Sequence, residues 1–394
     1  MRFFFKGKPK QRFIAIFDIG SASVGAALVR IDKKDESSDD ISPKIIWTDR
    51  EILSRHGQTD VSLLSRAVFR SVRTLSERMI KETSRLPEEC HCVLSSPWYA
   101  AQTRVISFSH PKPMTITENG TANFINRELK RFQQESALFY GIDKKEEIEI
   151  IEQKAMKILL NGYTIANPFG ALAKEVDIAV YFSVGSMPLF KNIRASIYEG
   201  GITAGIYFHS FTFVFFDVMR DLFTESNDFL LCDISGEITD VSFVREDVLK
   251  ETASFPIGKN TIFRDVIKET KLTIEETTSL FSLLSDNALY ITKKEEIALE
   301  RAAQKWKTEF LLSLEILSGG IPLPRHIFLI SNKTILPWLS RYMEKNVKIF
   351  TDESRGYSLR KIDVSFLRPL CKVLGAKEDL FLMLEAVFIE KILS

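Results

Sequence analysis

The chain has 394 residues, 53 basic and 52 acidic side chains, 45% hydrophobic and 27% charged content. This length exceeds one ordinary core and calls for two to four packed units, while near-neutral charge argues against a whole-protein nucleic-acid binder and 30 Phe rule out a disordered chain. Four Cys make neither a disulfide framework nor a zinc pattern, which points to a reducing, cytoplasmic setting, and the 18 Gly fall short of the roughly 28 that average usage would give.

Residues 1–12 carry Arg2, Lys6, Lys8, Lys10 and Arg12 around Phe3, Phe4 and Phe5. They lack the long apolar region and small-residue cleavage site of a signal peptide. The segment suits peripheral contact with an anionic membrane, at about 1 kcal/mol per cation, or an ordinary frayed tail. Phe13-Ile14-Ala15-Ile16-Phe17 is a continuous apolar run ending at Asp18-Ile19-Gly20-Ser21, with Ala26-Ala27-Leu28-Val29 after it: strand, tight turn, strand. Residues 33–40 read as a solvated loop and 44–48 as a strand. Residues 60–83 place Val61, Leu64, Val68, Val72, Leu75 and Met79 three or four apart, an amphipathic helix capped near Asp60.

From about 86 to 174 the pattern reads as a small α+β insertion. A strand at 91–95 leads into Ser96-Pro97-Trp98-Tyr99, which suits either an exposed partner patch or a turn with Trp98 in the insertion's core. A helix at 121–139 has Thr121 as its expected cap, and 148–160 alternates as a strand. In Cys90-His91-Cys92 a strand would turn both thiols to one face and His91 to the other, so a buried strand is expected rather than zinc. Strand 176–184 and helix 189–200 follow. The apolar stretch 204–219 is shorter than the roughly 20 residues that span a bilayer and reads as buried. Phe229-Leu230-Leu231-Cys232 runs into Asp233-Ile234-Ser235-Gly236, with a return strand at 241–244. A helical region covers 261–317, a strand 327–330, and helices 336–345 and 378–393. The last has apolar residues but no basic face, so it reads as a core helix.

The segments from Asp18 and from Asp233 are one device used twice: a buried strand, an Asp at its end, a small-residue turn, a second strand. Small residues let backbone N–H groups approach phosphate oxygens, hydroxyls such as Ser21 and Thr239 add donors, and a carboxylate at a strand end can hold Mg²⁺ through water. Two such turns facing across a cleft would clamp one nucleotide.

With these motifs the sequence resembles the actin-like ATPase superfamily, and within it the bacterial FtsA/PilM group. Residues 13–29 and 229–244 look like its two phosphate motifs. Residues 161–170 resemble a turn stretch of FtsA's inserted subdomain. Phe255-Pro256-Ile257-Gly258, with Thr261 and Asp265-Val266, resembles the segment after the second hairpin. The resemblance implies an α/β, actin-like (duplicated ribonuclease H-like) two-lobed fold with an α+β insertion between the phosphate hairpins. Residues 1–85 and 175–228 would form the first lobe with 376–394 packing back on it, 86–174 the insertion, and 229–375 the second lobe. It implies ATP and Mg²⁺ as ligands. Asp18 and Asp233 would hold the metal. Gly20, Ser21, Ala22, Ser23, Ser235, Gly236, Glu237 and Thr239 would line the phosphates, and Ser331, Asn332 and Lys333 the adenosine.

Three features depart from the family pattern. Glu237 stands in the second turn, where a carboxylate about 5 Å from a phosphate charge costs on the order of 3 kcal/mol at a dielectric of 20, about a hundredfold in affinity. Ser331-Asn332-Lys333 replace a Gly-Gly pair. His209 and Ser210 stand where a Glu or Gln often orients the attacking water, so nucleotide binding is expected ahead of efficient hydrolysis. The leading expectation is an FtsA-type scaffold on the cytoplasmic face of the inner membrane, able to polymerise and to meet division proteins. A PilM-like type IV pilus platform, a degenerate pseudo-ATPase and a small-molecule kinase are the alternatives.

Overall fold

The computed structural model describes residues 11–32, 42–53, 61–139, 147–165, 167–285, 291–348 and 356–393. Phe3, Phe4, Phe5, the loop at 33–40 and the expected cap Asp60 lie outside them. In chain order the elements are β1 (Arg12–Ile19), β2 (Ser23–Ile31), β3 (Lys44–Ile52), α1 (Val61–Thr83), β4 (Glu89–Leu94), β5 (Tyr99–Thr115), α2 (Glu118–Phe139), β6 (Ile148–Leu160), β7 (Tyr163–Thr164) and β8 (Leu172–Ser186). Then come α3 (Met187–Glu199), β9 (Gly205–Ser210), α4 (Phe211–Leu222), β10 (Phe229–Ile234), β11 (Thr239–Arg245), β12 (Val248–Phe255), α5 (Lys259–Thr270), α6 (Ile274–Ser285) and α7 (Lys293–Ser318). The chain continues through β13 (His326–Ser331), α8 (Leu336–Asn346), β14 (Ser358–Lys361), α9 (Val364–Leu367), β15 (Lys372–Val373) and α10 (Leu380–Leu393).

Two sheets repeat one topology. In the first, β3, β2 and β1 form an antiparallel meander, then β4 and β9 continue in parallel, with the short β15 beyond β3. In the second, β12, β11 and β10 form the meander and β13 and β14 the parallel wing. The central strands β1 and β10 are buried on both faces, as unbroken apolar runs require. α1 and α3 cover one face of the first sheet, and α5, α7 and α8 one face of the second. Between the sheets lies a third core, where Phe213, Phe216 and Met219 of α4 and Met383, Phe388 and Ile389 of α10 meet Ile14, Phe229 and Phe328. α10 is thus a core helix.

The insertion is bounded differently from expectation. β4 belongs to the first lobe, because it pairs in parallel with β1, whereas β8, expected to return to that lobe, is an inner strand of the insertion's own sheet, ordered β5-β8-β6-β7 and paired with β5 and β6. The insertion sheet therefore runs over 99–186 rather than 86–174. α2 begins before Thr121, which is buried inside the helix; Thr117 Oγ1 accepts the Gly120 N–H at its start. Trp98 is neither an exposed patch nor part of the insertion's core. It is buried in the first lobe and donates its Nε1–H to the Gly20 carbonyl at 3.2 Å. Cys90 and Cys92 face the core while His91 stacks on Tyr207 and His209.

Candidate nucleotide cleft between the two turns

Asp18 and Asp233 are the next-to-last residues of β1 and β10, so the duplicated topology brings both turns to the carboxyl ends of the parallel strands. Open α/β sheets place ligands there. The turns touch. Ser21 Oγ accepts the Glu237 N–H at 3.1 Å, and a Cβ on Gly236 would stand 2.5 Å from the Ala22 Cβ, so only glycine fits. Gly258 is held as closely against the carbonyls of Ser235 and Gly236, which accept the first amides of α5, Lys259 N–H at 2.9 Å and Asn260 N–H at 2.8 Å.

Beside the turns opens one cavity of about 680 Å³, within the range of small-molecule sites. Asp18, Gly20, Ser21, Ala22, Ser23, Ser235, Gly236, Ser331, Asn332 and Lys333 all line it. Asp233, Glu237 and Thr239 do not. Thr239 is fully buried, donating its hydroxyl to the Ile257 carbonyl at 2.7 Å and accepting from Trp306 Nε1 at 3.1 Å, so its oxygen is committed inside the lobe. Glu237 turns away: Arg264 meets both its oxygens at 3.0 and 2.7 Å and Asn260 donates to it at 3.0 Å. The repulsion expected from its carboxylate is thereby directed off the cavity. Ser331 Oγ donates to the Ile234 carbonyl at 2.8 Å, tying the end of β13 to the second turn. Ser210 does not reach the cavity. It hydrogen-bonds Glu152 at 2.7 Å and Tyr181 at 2.8 Å, and His209 pairs with His91 at 2.9 Å.

The sequence reading missed several wall residues. Lys259, whose ammonium lies over the Phe263 ring, and Lys361 line the cavity with Lys333, and no carboxylate pairs with any of the three among the described residues. Burial pulls the Lys259 ammonium below the usual range. The most consequential omission is Arg50. Its Nη1 donates to Asp18 Oδ2 at 2.7 Å and to Ser23 Oγ at 2.9 Å, while Nε and Nη2 form a fork on Asp379 at 2.6 and 2.8 Å. Burial opposes the guanidinium's charge, but Asp379 and Asp18 outweigh it and hold the proton more tightly than usual. For Asp379 burial is likewise outweighed, by Arg50 and the amides of Leu382 and Phe381, so its carboxyl sits below the ordinary range. Burial raises the Asp18 carboxyl, with Arg50 opposing.

These residues do not fit an Mg²⁺ shared by the two aspartates. A dication about 6 Å from the guanidinium meets about 5 kcal/mol of repulsion at an effective dielectric of 20, which offsets part of its attraction to Asp18 and Asp379. Arg50 already occupies Asp18 Oδ2, so a metal at Asp18 would have to share the carboxylate with the guanidinium. Asp233 is 5% exposed with Oδ1 unpartnered, and burial, Asp240 and Asp18 all push its carboxyl well up, toward the neutral form.

No family model and no curated protein matches the sequence. Among solved structures, a PilM–PilN type IV pilus biogenesis complex is similar with a TM-score of 0.63 at 11% identity, over 96% of this chain and 97% of that one. This chain has the actin-like ATPase fold. Weaker likenesses are a Bacteroides thetaiotaomicron protein with actin-like ATPase fold and unknown function (TM-score 0.43, 9% identity, 99% of each chain) and the ethanolamine utilization protein EutJ from Carboxydothermus hydrogenoformans (0.45, 12%, 97% and 91%). In actin-like terms the cavity lies between the lobes, with first-lobe Asp18 and Arg50 on one wall and second-lobe Ser235, Lys259 and Lys333 on another.

Proposed function

We propose that this actin-like protein binds an adenine nucleotide between its lobes and serves as a binding platform of the PilM kind, meeting protein partners through its insertion. One observation carries the reading. Two aspartate-tipped turns, far apart in sequence, converge on a single 680 Å³ cavity that presents Lys259, Lys333 and Lys361. Three ammonium groups without carboxylate partners among the described residues suit phosphate oxygens, and Ile52, Leu336, Pro337 and Phe381 offer apolar wall to a purine. His209 and Ser210, which stand at the expected water-orienting position, are engaged away from the cavity, which favours holding nucleotide over turning it over.

The likeness to the PilM–PilN complex along nearly the whole chain supports the pilus-type platform over the FtsA-type division scaffold. No described helix is long and apolar enough to cross a membrane. Calorimetric titration with ATP tests the reading. The wild type is expected to bind, with Lys259→Ala and Lys361→Ala each weakening binding by about tenfold, the worth of one charge-assisted contact. Absence of any binding heat from the folded wild type sinks it.

A further inference from the structure

Arg50 is built into the first sheet. Asp18, Gly25 and Arg50 are in-register neighbours on β1, β2 and β3. Gly25 makes their meeting feasible: a Cβ there would stand 2.5 Å from Arg50 Nη2 and 2.7 Å from Cζ, in the space the guanidinium crosses to reach Asp18. The far side of the guanidinium is fixed by Asp379, just before α10, which also accepts the Leu382 amide at 3.2 Å. The charge is therefore held by three carboxylate contacts and one hydroxyl, and the group lines the cavity.

We propose that Arg50 takes the place of a divalent cation in this cleft, so that the protein binds its nucleotide without Mg²⁺. The proposal rests on the nucleotide reading above and names its ionic form. A metal at Asp18 has two tasks: it neutralises the aspartate so that phosphate can approach, and it adds positive charge facing the phosphate. Arg50 performs part of the first through its contact at Asp18, its charge being shared with Asp379, and the lysines that line the cavity from the second lobe supply the second. A guanidinium in a fixed fork needs no recruitment from solution, and it already occupies one oxygen of Asp18.

The test is calorimetric titration of the full chain with ADP and with ATP, in EDTA and in MgCl₂, on the wild type, Arg50→Gln and Gly25→Ala. The wild type is expected to bind with Kd values that agree within about threefold between the two buffers. Arg50→Gln is expected to lose about tenfold or more in EDTA and to regain part of it in MgCl₂, because Asp18 is then free to accept the metal. Gly25→Ala, whose new methyl meets only the movable end of Arg50, should show the same acquired metal dependence in smaller measure, and it decides the matter if Arg50→Gln fails to fold by circular dichroism. Wild-type binding about tenfold tighter in MgCl₂ than in EDTA overturns the proposal while leaving the nucleotide site intact. Arg50→Gln binding like the wild type in EDTA does the same. A wild type silent in both buffers overturns the nucleotide reading, and this inference with it.

Discussion

The first turn sits at the head of the row Asp18, Gly25, Arg50; the second, at the same place in its own meander, heads the row Asp233, Asp240, Ser254. In one row the aspartate faces a glycine, and beyond it a guanidinium reaches across. In the other it faces a second aspartate, whose carboxylate is taken by Ser254 Oγ at 2.5 Å, and Asp233 is left with an unpartnered oxygen. Both aspartates lie near the ends of central strands, both are nearly excluded from water and burial raises both carboxyls, but Arg50 opposes the rise at Asp18 while Asp240 and Asp18 add to it at Asp233. The neighbouring strands of each meander, rather than the turn motif, set the electrostatic character of each half of the cleft.

The greatest contrast in stability is expected beneath the turns. Trp306→Ala removes a fully buried ring stacked on Phe310 together with the N–H that fixes Thr239, and should cost about 3–5 kcal/mol in urea unfolding. A loss under about 1 kcal/mol would mean the second turn does not depend on its tryptophan. Matched Asp→Asn changes cut to the comparison itself. Asp18→Asn should destabilise by about 1–3 kcal/mol, since it leaves Arg50 short of a charged partner. Asp233→Asn should be neutral or stabilising by about 1 kcal/mol at pH 8, because the folded protein already disfavours that charge. The sign follows from linkage: a carboxyl whose folded pKa is raised adds stability in full below its unfolded value of about 3.9 and loses it as pH rises through the folded value. Wild type should therefore fall relative to Asp233→Asn between pH 4 and pH 8, and equal losses from both variants at every pH would erase the distinction. Thr239→Val should cost about 1–2 kcal/mol by stranding Trp306 Nε1 and the Ile257 carbonyl, with nucleotide affinity nearly unchanged, since the hydroxyl is out of reach of the cavity. The smallest effect is expected from Arg264→Ala, below about 1 kcal/mol for so exposed an ion pair. Its signature is weaker nucleotide binding, from a Glu237 carboxylate no longer held away.

What sequence reveals here divides by distance along the chain. The strand-turn-strand units are local: an apolar run, an Asp and a cluster of small residues suffice, and β1, β2, β10 and β11 lie where those runs are. The partners of the two aspartates are not local. Arg50 reaches Asp18 only through the pairing of β2 with β3, which shifts register between Leu28 and Val29. Asp379 is 329 positions from Arg50. Thr239 carries a hydroxyl of the right type for phosphate, but Trp306, 67 positions on, draws it inward. The 17-residue β5 escaped notice because Gln102, Thr103, Arg104 and Ser107 dilute its apolar pattern and much of it faces water. The boundary of the insertion was misplaced for a related reason, as nothing local to β4 shows that its neighbour is β1.

The position of α10 also bears on how the protein is made. β1 and β2 come early in synthesis, but the surface they bury is closed by a helix translated more than three hundred residues later, and Arg50 waits as long for Asp379. The early-made half of the molecule must therefore leave the ribosome with an open flank, while the second sheet can form from segments close to one another in the chain. Contacts of such long separation are slow to close. Docking of this helix is thus the step in biogenesis that seals the first lobe and fixes the Arg50 fork.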